Sequence, residues 1–225
     1  LDTLDPGSTY YVRSYATNNT GTAYGKERTF TTPAILPTVT TDTISMVTDS
    51  SAVGGGNVVA DGGATITARG LVWGRGTNLT LDSLSSSDGT GTGAFSSVID
   101  SLIPVTKYYV RAYATNSVGT AFGELDSLTT PAGAPEVLTD SITNITDTTV
   151  VAHANAYFDG GDPVTEHGIV WGTSPNPDTT ANREVVGAGT GTYMATLDSL
   201  SPGITYYVRG YAINSIGIGY GNQLT

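Results

Sequence analysis

The chain has 225 residues, a net charge of −11, no cysteine and only 13% charged side chains. Those figures exclude disulfides, thiolate metal sites and a cysteine nucleophile. They also leave no basic patch for nucleic acid, and an anionic membrane surface repels an acidic chain. No apolar run reaches the length of a membrane span. The polarity rests on Ser, Thr, Asn and Gly, a mix that suits short strands joined by many turns.

In chain order the first element is Tyr10-Tyr11-Val12-Arg13, and it recurs as Tyr108-Tyr109-Val110-Arg111 and Tyr206-Tyr207-Val208-Arg209, a period of 98 residues. Trp73 and Trp171 keep the same spacing, as do Gly25, Gly123 and Gly221. A fixed period of this kind marks a repeat architecture. It divides the chain into the strand hairpin of a preceding module (1–33), a complete module (37–131) and a second module (135–225), joined by Ala34-Ile35-Leu36 and Ala132-Gly133-Ala134.

No segment has a helical apolar period with caps. In residues 1–33 the expected strands are 9–18 and 22–31. In the complete module they are 38–47, 51–60, 66–74, 94–102, 106–117 and 120–129, with a weak one at 78–84. Six or seven short strands at this spacing predict a β-sandwich. On 106–117 the period of two puts Tyr108, Val110, Ala112 and Ala114 on the core face, with Trp73 beside the small residue at 112. Trp73, Trp171 and Leu71 are expected inside, as are Tyr108 and Tyr206 with their hydroxyls bonded to backbone.

The stretch Leu102-x-Pro104-x-Thr106-x-Tyr108-x-Val110-x-Ala112-x-Ala114-x-Asn116 resembles the signature of fibronectin type III domains, and it returns around Tyr10 and Tyr206. The resemblance implies tandem Greek-key β-sandwiches of immunoglobulin-like class, with the tyrosine at a corner that begins the sixth strand. One departure is the tryptophan, which that family carries on the second strand and this chain carries at the end of the third. The sequence also looks like repeats of long secreted and surface proteins of Bacteroidota. That likeness implies an extracellular stalk or fibre segment of an adhesin or filament, with neighbouring modules, identical chains and surface glycans as partners. The alternative is an accessory carbohydrate-binding module of a secreted polysaccharide-degrading enzyme. In neither reading is the chain itself an enzyme.

The opposite face of the sixth strand presents Tyr109, Arg111 and Tyr113, and its copy presents Tyr207, Arg209 and Tyr211. An exposed stripe of this kind could bind a sugar or a partner. Because it recurs in all three copies, it reads more readily as a ladder in which arginine stacks on tyrosine and the tyrosines cover Gly70 or Gly74. Asp61-Gly62-Gly63 and Asp159-Gly160-Gly161-Asp162 could bind calcium, and Asp-Gly is also a common hairpin turn. His153 and His167 lack companions for a metal site, and His167 stands where the other module has Arg69, so its role is expected not to repeat.

Nine of fifteen aspartates precede Ser or Thr and then an apolar residue or Thr, at Thr3, Thr43, Ser83, Ser101, Ser127, Ser141, Thr148, Thr179 and Ser199. In the resembled Bacteroidota proteins this is the O-glycosylation motif, which makes these hydroxyls candidate modification sites. Asp-Ser/Thr also simply suits strand ends.

Overall fold

The computed structural model describes residues 3–225, and every regular element among them is a β-strand. In residues 37–131 the strands are β5 (Thr38–Thr41), β6 (Ala52–Ala60), β7 (Ala68–Gly74), β8 (Leu84–Ser85), β9 (Gly93–Ile99), β10 (Lys107–Thr115), β11 (Thr120–Phe122) and β12 (Asp126–Thr129). They form two antiparallel sheets, β5-β6-β9 and β11-β10-β7-β8, with β12 also on β10. Residues 135–225 repeat the plan with β13 (Glu136–Thr143), β14 (Val150–Phe158), β15 (Glu166–Gly172), β16 (Asn182–Gly187), β17 (Gly191–Leu197), β18 (Tyr207–Ile213) and β19 (Ile218–Tyr220). The sheets there are β13-β14-β17 and β16-β15-β18-β19. Sequential strands therefore change sheets between β6 and β7, β8 and β9, and β9 and β10, the Greek-key order of a fibronectin type III-like sandwich.

Before them lie β1 (Thr9–Val12), β2 (Tyr15–Asn18), β3 (Gly21–Tyr24) and β4 (Arg28–Thr31), pairing as β1-β4 and β2-β3. The long strands expected at 22–31 and 120–129 are each broken at a glycine. Gly123 N–H turns to Ala112 O at 2.9 Å, Gly221 N–H to Gly210 O at 2.9 Å, and Gly25 N–H to Ser14 O at 2.9 Å. At Gly123 and Gly221 a side chain would collide with Thr41 and Thr139 of the facing sheet, so only glycine lets the strand fold inward there.

The chain forms two compact units, one running up to Leu102 together with Thr106–Thr129, the other comprising Ile103–Val105 and Thr130–Thr225. The first has a core that includes Val39, Val58, Leu71, Trp73, Phe95 and Val110; the second has one that includes Val137, Ala152, Ile169, Tyr193, Leu197 and Val208. Trp73 is buried and Trp171 half-buried against its core. The small residue at 112 does not serve Trp73, which sits opposite Val110. It serves the facing sheet. A Cβ on Gly56 would lie 2.6 Å from the Ala112 Cβ, and in the other module a Cβ on Gly210 would lie 2.6 Å from the Ala154 Cβ. Position 56 corresponds to 154 and 112 to 210, so each module places one methyl at this crossing and the two modules place it on opposite sheets.

Candidate functional site

The stripe on the sixth strand is covered, which corrects the expectation that it is exposed. Tyr113 is 5% exposed and Tyr211 0%, while Tyr109, Arg111, Tyr207 and Arg209 are half-buried. In the first module the segment carrying Leu79 and Ser86 crosses this face. Leu79, Val72 and Tyr113 bury one another in a small second core, and the Tyr113 hydroxyl donates to Ser86 O at 2.9 Å. Arg111 donates to Leu79 O and lies 4.0 Å over the Phe122 ring. In the second module Tyr211 donates to Glu166 Oε1 at 2.7 Å, and Glu166 pairs with Arg183 at 3.4 Å. Arg209 donates to Gly221 O at 2.8 Å and lies 4.8 Å over Tyr220.

The ladder reading describes these contacts, with one amendment: each arginine stacks on the aromatic of the strand that follows its own, Phe122 on β11 and Tyr220 on β19, rather than on its own tyrosines. Tyr113 sits opposite Gly70 and Tyr211 opposite Gly168, and a Cβ on either glycine would meet the tyrosine ring at 2.9 Å. The signal for this cover was the run Leu71-Val72-Trp73, apolar on both faces of its strand, which is the pattern of a strand buried on both sides.

Burial dominates the acid–base behaviour of these phenols. Tyr113 is pushed above the ordinary tyrosine range by desolvation and then by Asp88. Tyr211 is pushed well above it by desolvation and then by its bond to Glu166. Tyr193 is pushed well above it by desolvation and then by Asp140.

The repeated asparagine is one of the most heavily bonded polar side chains among the described residues. Asn116 Nδ2 donates to Ile35 O at 2.7 Å and Asp61 O at 2.8 Å, while its Oδ1 accepts from the amides of Val118 at 2.9 Å and Gly119 at 3.3 Å. Asn214 repeats this with Gly133 O at 2.7 Å, Asp159 O at 2.9 Å, and the amides of Ile216 and Gly217 at 2.9 and 3.0 Å. One side chain thus ties the entering linker, the Asp-Gly-Gly turn and the last hairpin together.

In the Asp-Gly-Gly turns, Asp61 Oδ1 accepts from Gly63 N–H and Asp159 Oδ1 from Gly161 N–H, both at 2.8 Å. The glycines that follow have φ from +70° to +83°, conformations that need glycine. Among the described residues no three His, Asp or Glu side chains converge as metal ligands. His153 Nε2 meets Thr143 Oγ1 at 2.9 Å.

The expectation that the role at position 167 is not repeated is also corrected. Arg69 holds the carbonyls of Asp88, Gly91, Thr92 and Gly93 and lies 5.5 Å over Phe95. His167 donates from Nδ1 to Gly189 O at 2.9 Å and stacks on Tyr193 at 4.2 Å. Gly189 and Tyr193 are the counterparts of Gly91 and Phe95, so two different side chains pin the same loop to the same ring position.

Of the candidate hydroxyl residues, Thr3, Thr43, Ser101, Ser127, Ser141, Thr148 and Ser199 are exposed, and Ser83 and Thr179 are half-buried. Ser83 Oγ accepts from Thr80 N–H, and Thr179 is bonded to Tyr220. Asp2, which precedes Thr3, lies outside the described residues. Thr3, Ser101 and Ser199, equivalent across all three copies, have φ of 61°, 57° and 57°. This left-handed conformation is uncommon for a residue with a Cβ. It turns the hydroxyl outward while the next residue anchors the chain: Leu102 N–H donates to Ser50 O at 2.9 Å and Leu200 N–H to Thr148 O at 3.0 Å. Nothing in an Asp-Ser-Leu sequence signals that turn, because neither Gly nor Asn is present.

No protein-family profile and no curated protein matches the chain. Among solved structures, the FN1–FN3 domains of chicken CNTN1 are similar at 18% identity, over 97% of this chain and 75% of that one, with a TM-score of 0.37.

Proposed function

We propose that this chain is a spacer segment of an extracellular, surface-attached fibre or stalk, carrying O-linked sugar on its exposed Asp-Ser/Thr hydroxyls and performing no catalysis itself. The all-β sandwich is a structural or binding module. The observation that favours the spacer is what the repeated polar residues do. Asn116 and Asn214 fasten each linker to the module it enters, and the Tyr–Arg–Tyr residues are spent on packing. A surface repeated for chemistry would leave its polar groups free to meet a ligand. The same burial argues against the accessory carbohydrate-binding reading, since Tyr113 and Tyr211 have no ring face to offer a sugar.

Electron microscopy of the native protein on its own cells tests the spacer: thin projections labelled along their length are expected, and label confined to a secreted catalytic assembly overturns it. Intact-mass measurement of natively produced protein tests the sugar. Hexose-containing additions are expected, lost stepwise in Ser101→Ala and Ser199→Ala, and an unmodified mass defeats the assignment.

A further inference from the structure

The motif Asp140-Ser141-Ile142 on β13 is shaped by a β-bulge. Thr139 lies opposite Ala154 and Ser141 opposite His153, so Asp140 is an extra residue in the strand. Val137 and Thr139 are buried in the sandwich, and unbroken alternation would carry Ser141 inward after them. The bulge exchanges the two faces, as bulges that re-aim a side chain do. Ser141 stands exposed, and Ile142 packs against the core instead. The other module makes the same exchange with Asp42-Thr43-Ile44: Asp42 N–H donates to Gly55 O at 3.0 Å, Thr43 is exposed, and Ile44 packs against its core. The three residues of the motif thus supply a bulge, an outward hydroxyl and an inward anchor.

Ser141 opens a row across the outer face of its sheet. It lies opposite His153, which lies opposite Met194 on β17. Ala152 and Ala154 on either side of His153 are fully buried, so the imidazole points outward, where Thr143 Oγ1 holds it. Met194 is 62% exposed. A groove of about 450 Å³ runs along the row, lined by Asp140, Ser141, His153 and Met194 among others. Small-molecule sites measure about 300–1,000 Å³, so it is large enough to hold one. The same place in the first module is also open but measures about 170 Å³. Gly55 and Ser96 stand there in place of His153 and Met194 and offer no long side chain to wall it. No described residue forms a hydrogen bond with the Ser141 hydroxyl or the Asp140 carboxylate.

We propose that this groove seats the sugar linked to Ser141, a hexose lying over His153 and Met194. The proposal rests on the O-linked sugar of the preceding section and adds where that sugar lies. The apolar C–H face of the ring gains dispersion contact from the thioether and the imidazole. A ring hydroxyl donates to the Asp140 carboxylate, a charge-assisted bond and the stronger kind. The residues of the motif then serve the sugar as well as the strand: the bulge that turns Ser141 outward also places Asp140 beside it. A sugar on Thr43 meets only Gly55 and Ser96, so it projects into solvent without a comparable seat.

The two methionines of the chain provide the test. Met46 is 77% exposed and stands away from the groove, and Met194 forms part of its floor. Peroxide converts an accessible thioether to the sulfoxide, at a rate that follows exposure. Natively produced wild type and Ser141→Ala are oxidised side by side, and the mass gain of each methionine peptide is followed with time. The variant is expected to lack one hexose-containing addition. Met194 is expected to oxidise at least ~5-fold more slowly relative to Met46 in the wild type than in the variant. Wild-type protein produced without the modification should behave like the variant. Loss of the addition with an unchanged Met194 to Met46 ratio overturns the seat and leaves the sugar assignment standing. Equal intact masses of wild type and variant overturn both at this residue. Unmodified wild type that oxidises as slowly as the native protein also overturns the seat, because the shielding then comes from the protein itself.

Discussion

At the scale of single residues, the two modules solve one packing problem in two ways. The crossing of the two sheets has space for one methyl: Ala112 supplies it over Gly56 in one module, and Ala154 supplies it under Gly210 in the other. The ring beneath is matched to the choice. The Tyr193 hydroxyl, bonded to Tyr211 O at 3.0 Å, lies 3.0 Å from where a Cβ on Gly210 would stand, and Phe95 at the equivalent position has no hydroxyl. Gly210→Ala is therefore expected to destabilise the second unit by about 1–3 kcal/mol, the range for overpacking. The triple variant Ala154→Gly, Tyr193→Phe, Gly210→Ala recreates the other module's set and should recover most of that loss. Denaturant unfolding measures both, and a triple variant no better than the single would refute the matching, since residues in contact couple. The buried phenols give a second expectation. Tyr113, Tyr193 and Tyr211 ionise later in the fold than in the unfolded chain, so their stabilisation is complete below about pH 10, the ordinary tyrosine value, and is lost as pH rises beyond it. Tyrosinate absorbance and far-ultraviolet circular dichroism followed together should show these phenols ionising only as the strands melt. Titration of every tyrosine with the fold intact would contradict that. Sequence pattern placed Tyr108 and Trp73 inside correctly, because alternation along a strand is local. It did not reveal the shared methyl, which depends on two residues brought together from separate sheets.

At the scale of elements, the strand breaks and the turns follow from contacts between distant segments. Gly123 and Gly221 end a straight strand because Thr41 and Thr139 stand where a side chain would go, a fact no window of neighbouring residues contains. The covering of the sixth strand was legible in part: Leu71-Val72-Trp73 indicates two-sided burial, while Leu79 and Ser86, which provide the cover, belong to a segment with little strand pattern. The asparagine tie is the element-level device whose removal is most informative. Asn116→Ala leaves two carbonyls and two amides without their partner, at about 1–3 kcal/mol for each that stays buried and unmet. Water can reach some of them, so a total loss of about 2–4 kcal/mol is expected. Asn116→Asp keeps the acceptor for Val118 and Gly119 but loses both donors, and its carboxylate faces the Ile35 and Asp61 carbonyls. It should free the linker while leaving the hairpin protected. Hydrogen exchange separates the two: the Ile35 amide speeds up in both variants, the Val118 amide only in the alanine. Equal protection of Ile35 in wild type and both variants would contradict the tie.

At the scale of the whole molecule, the first hairpin is the least covered part of the structure. Tyr11, Tyr15 and Tyr24 are 69%, 73% and 66% exposed, and among the described residues β2 and β3 pair only with each other. A two-stranded hairpin is marginal by itself in water. In the chain as it stands, amides of Tyr15–Asn18 should exchange at least ~100-fold faster than those of Lys107–Thr115, as expected for local opening against near-global unfolding; comparable protection would mean that something covers that face. The period of 98 residues was the most legible feature of all, because it needs only the chain compared with itself. The complementary methyl at the sheet crossing bears on how such a period survives at the level of genes. Recombination between two repeats that breaks between the second and sixth strands would join Gly56 to a Gly210-type partner, leaving a void, or Ala154 to an Ala112-type partner, forcing two methyls into the space of one. A break in the linker exchanges whole modules and disturbs no such pair. Exchange at the linkers therefore keeps the second, fifth and sixth strands of each module together as a set, while a hybrid broken between them is destabilised by its mismatched crossing.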